Sequence, residues 1–441
     1  MRFVRTALLT GAAAVACASA TPASALNIVL NPDSSFASQP NGAAALYAFQ
    51  KAANFWNTFL TNDATLRFNV SYAPLASGVI GSTGSNRVDT TAAQVYAGLA
   101  ANAATSLDQI AVANLVPLTA KGGVSYRMPD SVTGVAGTGN GLGLETATRG
   151  SVFDNDDTYN NLVMYTNTAE NKVLGLNFNA ADTAFGNNVD ARITFSSNFA
   201  FDFDPTDGIA NGTQDFVAVA IHEMGHALGF VSGTDFYDVY GNPSGANKAI
   251  GNTINWDGES VLSVWDLFRY STNPPSNAGF DPATGKRYLQ LDPNRGAAFS
   301  FDGVHFFNAN NSGEAEFGNL STGRYNGDLQ QASHWKDATG FFDENGCFNS
   351  SRQIGIMDPT SGTCQMGIVT ANDLAAFDAM GYNLNFDVLQ NQGWTLDTAH
   401  IFQLTGLAAV PEPATWAMML LGFGVVGAAT RRARASKVVY A

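Results

Sequence analysis

Residues 216–230, Phe-Val-Ala-Val-Ala-Ile-His-Glu-Met-Gly-His-Ala-Leu-Gly-Phe, constrain this chain more than any other segment. The unbroken apolar run from Phe216 to Ile221 reads as a buried helix, with Thr213 as its N-cap and Asp215 in its first turn. That helix carries His222, Glu223 and His226 inward, where polar side chains need partners. Residues four apart share a helical face, so both imidazoles can reach one metal ion. Zinc at such a site brings the pKa of its water towards ~7 and polarises a carbonyl. Glu223, next to the first histidine, is placed to take that water's proton and pass it to a leaving amine.

A catalytic zinc takes a third protein ligand. The compact pattern HExxHxxGxxH would put it at position 232, where this chain has Ser232. His305, His334 and His400 are the remaining histidines, and Asp235, Asp238 and Asp266 are carboxylate candidates.

Other features bound the setting. Of 441 residues, 45% are apolar and 13% charged, which suits a large folded core and excludes disorder. Lys and Arg number 22 against 37 Asp and Glu, so the chain offers no basic surface for nucleic acid. Met1–Ala25 reads as a secretory signal peptide: Arg2 and Arg5, an apolar run from Ala7 to Ala18, and the cleavage site Ala23-Ser24-Ala25. Without that leader, Cys347 and Cys364 are the cysteines left, and an oxidising compartment leads us to expect that they pair. Cys17, within the leader, is the sole cysteine upstream of His222, and the stretch from Ala25 to Ala43 is too short for a folded prodomain. The expectation is activity without an activation cleavage.

The C-terminus carries Val410-Pro411-Glu412-Pro413, an apolar run from Ala414 to Ala429, and a cluster of Arg431, Arg432, Arg434 and Lys437. It resembles the PEP-CTERM sorting signal of Gram-negative exopolysaccharide producers. This implies transient anchoring in the inner membrane by a transmembrane helix and cutting near the motif by an exosortase-type machinery, with the body outside the cytoplasm.

Within the body, Leu46, Phe49, Ala53, Trp56 and Leu60 mark one apolar face of a helix, and Leu66, Phe68, Val70 and Tyr72 alternate as in a half-buried strand. A further helix is expected over Ala92 to Leu115, with strands at Leu162–Thr166 and Arg192–Ser197. Residues 232–332, rich in Gly, Asn, Asp and Ser, read as a long insertion. Thr370 with Asp373 starts a late helix that Gly381 closes, and these are read as core and caps. Two aspartate-rich stretches, Asp202-x-Asp204-x-x-Asp207-Gly208 and Asp154 to Asp157, have calcium-like spacing, but the bidentate glutamate is missing, so solvated turns are the expectation.

After the insertion come Ser333-His334-Trp335, then Gly355-Ile356-Met357-Asp358-Pro359, then a helix ending Ala379-Met380-Gly381-Tyr382. Together with the HExxHxxG segment, this order over about residues 190–385 resembles the leishmanolysin-like branch of the metzincin metalloproteases. The resemblance implies an α+β fold with a twisted mixed sheet, zinc on His222, His226 and His334, Glu223 as general base, and a protein or peptide substrate. Met357 would pack in a turn beneath the metal. The gap from His334 to Met357 is longer than that family's, and a Cys347–Cys364 disulfide would staple the enlarged loop.

The expected organisation is a leader over 1–25, a catalytic domain over 26–385, a linker over 386–410, and the sorting signal over 411–441. Two competing readings remain at this stage. One is an inactive peptidase-fold protein that binds at a surface or in a matrix, which should lose Glu223 or a histidine. The other is a zinc hydrolase with a carboxylate such as Asp266 as third ligand.

Overall fold

The computed structural model describes residues 26–129, 151–179, 183–186, 188–241, 254–272, 281, 284–308, 319–350 and 353–404. These belong to one compact unit. The leader, the sorting signal and the Ala414–Ala429 run lie outside the described residues. Among the described residues no helix is long and apolar enough to cross a membrane.

The architecture is α+β, built on a mixed four-stranded sheet. In sheet order its strands are Asn27–Pro32, Thr65–Ala73, Ala191–Ser196 and Gly81–Ser85. The first three run parallel, and Gly81–Ser85 is the antiparallel edge strand, with Gly81 opposite Phe195 and Ser85 opposite Ala191. Leu66, Phe68, Val70 and Tyr72 are buried and alternate with more exposed neighbours, as their spacing requires.

Helix Gly42–Phe59 covers the sheet with Ala45, Ala48, Phe49, Ala52 and Trp56, each fully buried. It packs against the motif helix Phe216–Leu228, and the Trp56 indole N–H donates to the Ile221 carbonyl at 3.3 Å. Phe195 of the sheet and Phe216 of the motif helix pack with rings tilted by 31° and centroids 4.5 Å apart.

Several expectations need correction. The helix read over Ala92–Leu115 is two helices, Ala92–Asn102 and Ser106–Asn114. Thr105 starts the second, its side chain accepting from the Asp108 N–H, so a local cap competes with helix continuation. The motif helix is capped by Asp215, which accepts from the Ala218 N–H at 3.0 Å, while Thr213 bonds back to the Ala210 carbonyl. The expected linker begins as folded structure. Strand Thr395–Asp397 pairs with Ile368–Thr370, helix Thr398–Leu404 follows, and Val388 and Ile401 are fully buried.

The described residues of the insertion pack into the same hydrophobic core as the rest of the body. They contribute helix Thr234–Tyr240 and the antiparallel strands Arg269–Ser271 and Ala297–Phe299. Trp265 and Phe299 from the insertion meet Phe230 and Trp335 in one aromatic cluster, with centroids 4.4–5.9 Å apart. Burial of this size ties the insertion to the end of the motif helix and to the residue after His334.

Candidate metal centre

His222, Glu223 and His226 project from the second half of the motif helix. Gly229 ends it at φ 123°, a conformation that suits glycine and leaves room for the buried Glu170 carboxyl. The four-residue spacing puts the Nε2 atoms of His222 and His226 3.1 Å apart. His334, 108 residues beyond His226, brings its Nε2 to 3.2 Å from both. Among the described residues this is the one group of histidine, cysteine, aspartate or glutamate side chains arranged to hold a metal ion.

Each ring is oriented from behind. The Nδ1 atoms of His222, His226 and His334 lie 2.8, 2.8 and 3.1 Å from the carbonyls of Ile356, Phe230 and Gln331. A carbonyl only accepts, so each Nδ1 carries the proton and each Nε2 presents a lone pair. Three lone pairs facing one another repel unless a cation lies between them. Ligand nitrogens about 2.0–2.1 Å from a tetrahedral zinc stand about 3.3–3.4 Å apart, close to the spacing here. Burial lowers His222 to about 4 and His226 to about 3, and pushes His334 well below its ordinary value, so all three are neutral at physiological pH.

Glu223 faces the edge strand. Thr83 Oγ1 lies 2.5 Å from Glu223 Oε2 and 2.9 Å from the Glu223 carbonyl, and Gly81 is so close that a Cβ there would strike the carboxylate. Burial raises Glu223 to about 7, against the opposing effect of the Thr83 hydroxyl.

His334 is positioned by long-range polar clamps. Asp235 accepts from the N–H groups of Ala332 and Ser333, and the buried Arg269 guanidinium donates to the carbonyls of Ala332 and Ser321. Asp373 takes the Trp335 indole N–H at 2.7 Å, the Ile356 N–H at 2.9 Å and the Met357 N–H at 3.3 Å. One carboxylate therefore fixes both the residue after His334 and the turn whose carbonyl orients His222. Met357 is fully buried against Gly225 of the motif helix, where a Cβ would collide with its sulfur.

The other sequence candidates lie elsewhere. Ser232 gives its hydroxyl to Asp266 and its N–H to Ser333 Oγ at 2.8 Å, so the compact motif's third-ligand position abuts the neighbour of His334. Asp266 is consumed by the Ser232 hydroxyl and the N–H groups of Gly233 and Ser263. Asp238 holds the N–H groups of Tyr325 and Asn326. His305 and His400 are exposed and paired with Asp302 and Asp397. Asp202 and Asp204 accept backbone N–H groups within their own turn, and Asp154 is held by Asn160. The expected Cys347–Cys364 disulfide is present, and the Cys364 N–H bonds the Thr213 carbonyl just before the motif helix.

Sequence reasoning missed Thr83, because Gly81-Ser82-Thr83-Gly84-Ser85 has none of the apolar alternation that marks a strand. It also read Asp373 as a cap alone. Asp373 does form the capping box with Thr370, and the same carboxylate reaches three further donors.

The triad lines a cleft of about 730 Å³. One wall is Gly78–Thr83, and the other comes from residues 324–334 and 353–367. Residues 409–434 match the PEP-CTERM protein-sorting motif, a signal recognised by exosortase and associated with export and membrane-linked processing in Gram-negative bacteria. The chain matches no curated protein and no solved structure.

Proposed function

We propose that this chain is an exported zinc-dependent endopeptidase of metzincin type, with zinc held by His222, His226 and His334 and with Glu223 as general base. The observation that carries this reading is the convergence of three Nε2 lone pairs, each ring fixed by a backbone carbonyl, beside a buried carboxylate in an open cleft. Zinc, when bound by three neutral imidazoles, supplies Lewis acidity towards a water and a peptide carbonyl.

The chain's own groups do the rest. Glu223, buried beside the three imidazoles and bonded by the Thr83 hydroxyl, is placed to take a proton and return it. The Thr83 hydroxyl holds one carboxylate oxygen and leaves the other to act. The edge strand Gly81–Ser85 pairs with Ala191–Ser196 on one side and borders the cleft on the other. An extended polypeptide laid along that free edge can hydrogen-bond to it as an added strand, which favours a peptide over a small substrate. Met357 fills the space under Gly225 and keeps the helix face rigid without ligating.

The test is Glu223→Gln in the full chain, loaded with zinc and assayed on casein and on a quenched peptide. Zinc content and fold should persist while turnover falls by about 10²–10⁴-fold, the usual contribution of a general base. Unchanged turnover in that variant, or no proteolysis by the zinc-loaded parent, would reject the reading.

A further inference from the structure

Besides the neutral triad and Glu223, the described lining of the cleft has three ionisable side chains. They are Asp235, Asp358 and Arg324. Asp235 turns its two oxygens onto the Ala332 and Ser333 N–H groups, and Asp358 is 4% exposed and bonded to the Ile354 and Gly355 N–H groups. Arg324 differs from both. It is exposed, and among the described residues no carboxylate lies within ion-pair distance of its guanidinium. The Tyr325 ring centroid, 6.0 Å away, is at the outer limit of a cation–π contact. Arg87, Arg269 and Arg287 by contrast donate to backbone carbonyls.

The loop that presents Arg324 is pinned. Asp238 accepts from the Tyr325 N–H, the Asn326 N–H and the Asn326 side-chain amide, each at 2.8 Å. Thr322 and Asp328 bond each other's backbone N–H groups. Beside Arg324, Leu329 is 74% exposed and lines the same wall.

We infer that Arg324 forms a subsite for a carboxylate of the bound polypeptide, either an acidic side chain or a chain end. The inference rests on the peptidase reading above and names the class of substrate that site prefers. The chain is acidic, with a net charge of −15, and would repel such a substrate at long range. At physiological ionic strength charges more than about 8 Å away are largely screened, so the contacting guanidinium outweighs the distant carboxylates. A guanidinium also offers a planar pair of donors that matches a carboxylate.

The full chain, extracted in detergent and loaded with zinc, is given quenched peptides that differ by Glu or Gln at one position, with amidated C-termini. The Gln peptide with a free C-terminus forms a third arm. The parent should favour one carboxylate-bearing peptide by about fivefold in kcat/KM, the upper scale of an exposed ion pair, and the preference should shrink at raised salt. In Arg324→Gln the ratio should fall to one, and Arg324→Glu should turn it towards a lysine peptide, both variants keeping the parent's circular dichroism. The arm that shows the preference identifies a side chain or a chain end as the ligand. A ratio unchanged in Arg324→Gln, or no carboxylate preference in the parent, overturns the inference.

Fluorescence anisotropy of the same peptides on Glu223→Gln separates the two readings. Arg324-dependent binding with no cleavage by the parent would retain the subsite and reject the peptidase. Cleavage without a carboxylate preference would do the reverse, and neither binding nor cleavage would reject both.

Discussion

His222 and His226 reach their positions through one turn of a single helix, whereas His334 arrives on a loop 108 residues beyond His226, held by side chains from three other segments. The helical pair takes its spacing from α-helical geometry and needs only one carbonyl behind each ring. The loop histidine, His334, needs Asp235, Arg269 and Asp373, each satisfied by several donors or acceptors. A helix thus supplies ligand geometry cheaply, while a loop supplies it through buried polar clamps whose loss is costly. The two halves should therefore fail in different ways.

Ligand removal should have the largest effect. His226→Ala and His334→Ala should each strip zinc from the full chain more severely than the 10–100-fold that loss of a supporting partner typically costs. His305→Ala should retain it, because that ring is exposed and paired with Asp302. Metal analysis after dialysis against a competing chelator reads this. Full zinc in His334→Ala would break the comparison, since it would leave the loop without a ligand role.

The clamps come next. Asp373→Asn places an amide where four N–H donors converge, so it should weaken zinc binding by about 10–100-fold and speed zinc release. Asp215→Ala at the helix N-cap should instead cost about 0.5–2 kcal/mol of stability and change zinc affinity little, because the helix is held along its whole apolar face. Equal zinc affinities in the two variants would remove the distinction between helix and loop.

The last effect touches zinc least and is a pH dependence of stability. Burial raises Glu170, packed against Gly229 at the end of the motif helix, to about 8. It raises Asp378 to about 8 as well, aided by Asp108 and Asp387. Both carboxyls hold a proton in the fold that the unfolded chain releases at its ordinary carboxylate pKa. Their stabilisation is therefore complete below that value and is lost as pH rises towards 8. Denaturant midpoints should fall between pH 5 and 8, and Glu170→Gln with Asp378→Asn should flatten the slope.

The same contrast explains what could be read in advance. The motif helix, the alternating strand at Leu66–Tyr72 and the capping box at Thr370 were legible because each is written in local periodicity or a short spacing. The break at Thr105 was not, since alanine-rich sequence suits a continuous helix and only the cap decides. His334 was singled out by the order of segments and by resemblance, since no local pattern marks a loop ligand. Thr83 and the second duty of Asp373 had no signal at all. Their partners lie 140 and 38 residues away, and only the packed fold brings them together.

X-ray absorption at the zinc edge of the full chain tests the central claim most directly. It should show one zinc per chain with three imidazole nitrogens at about 2.0–2.1 Å, and two in His334→Ala reloaded at high zinc. A parent spectrum with two imidazoles and a carboxylate, or a reloaded parent that takes up no stoichiometric zinc, would contradict it.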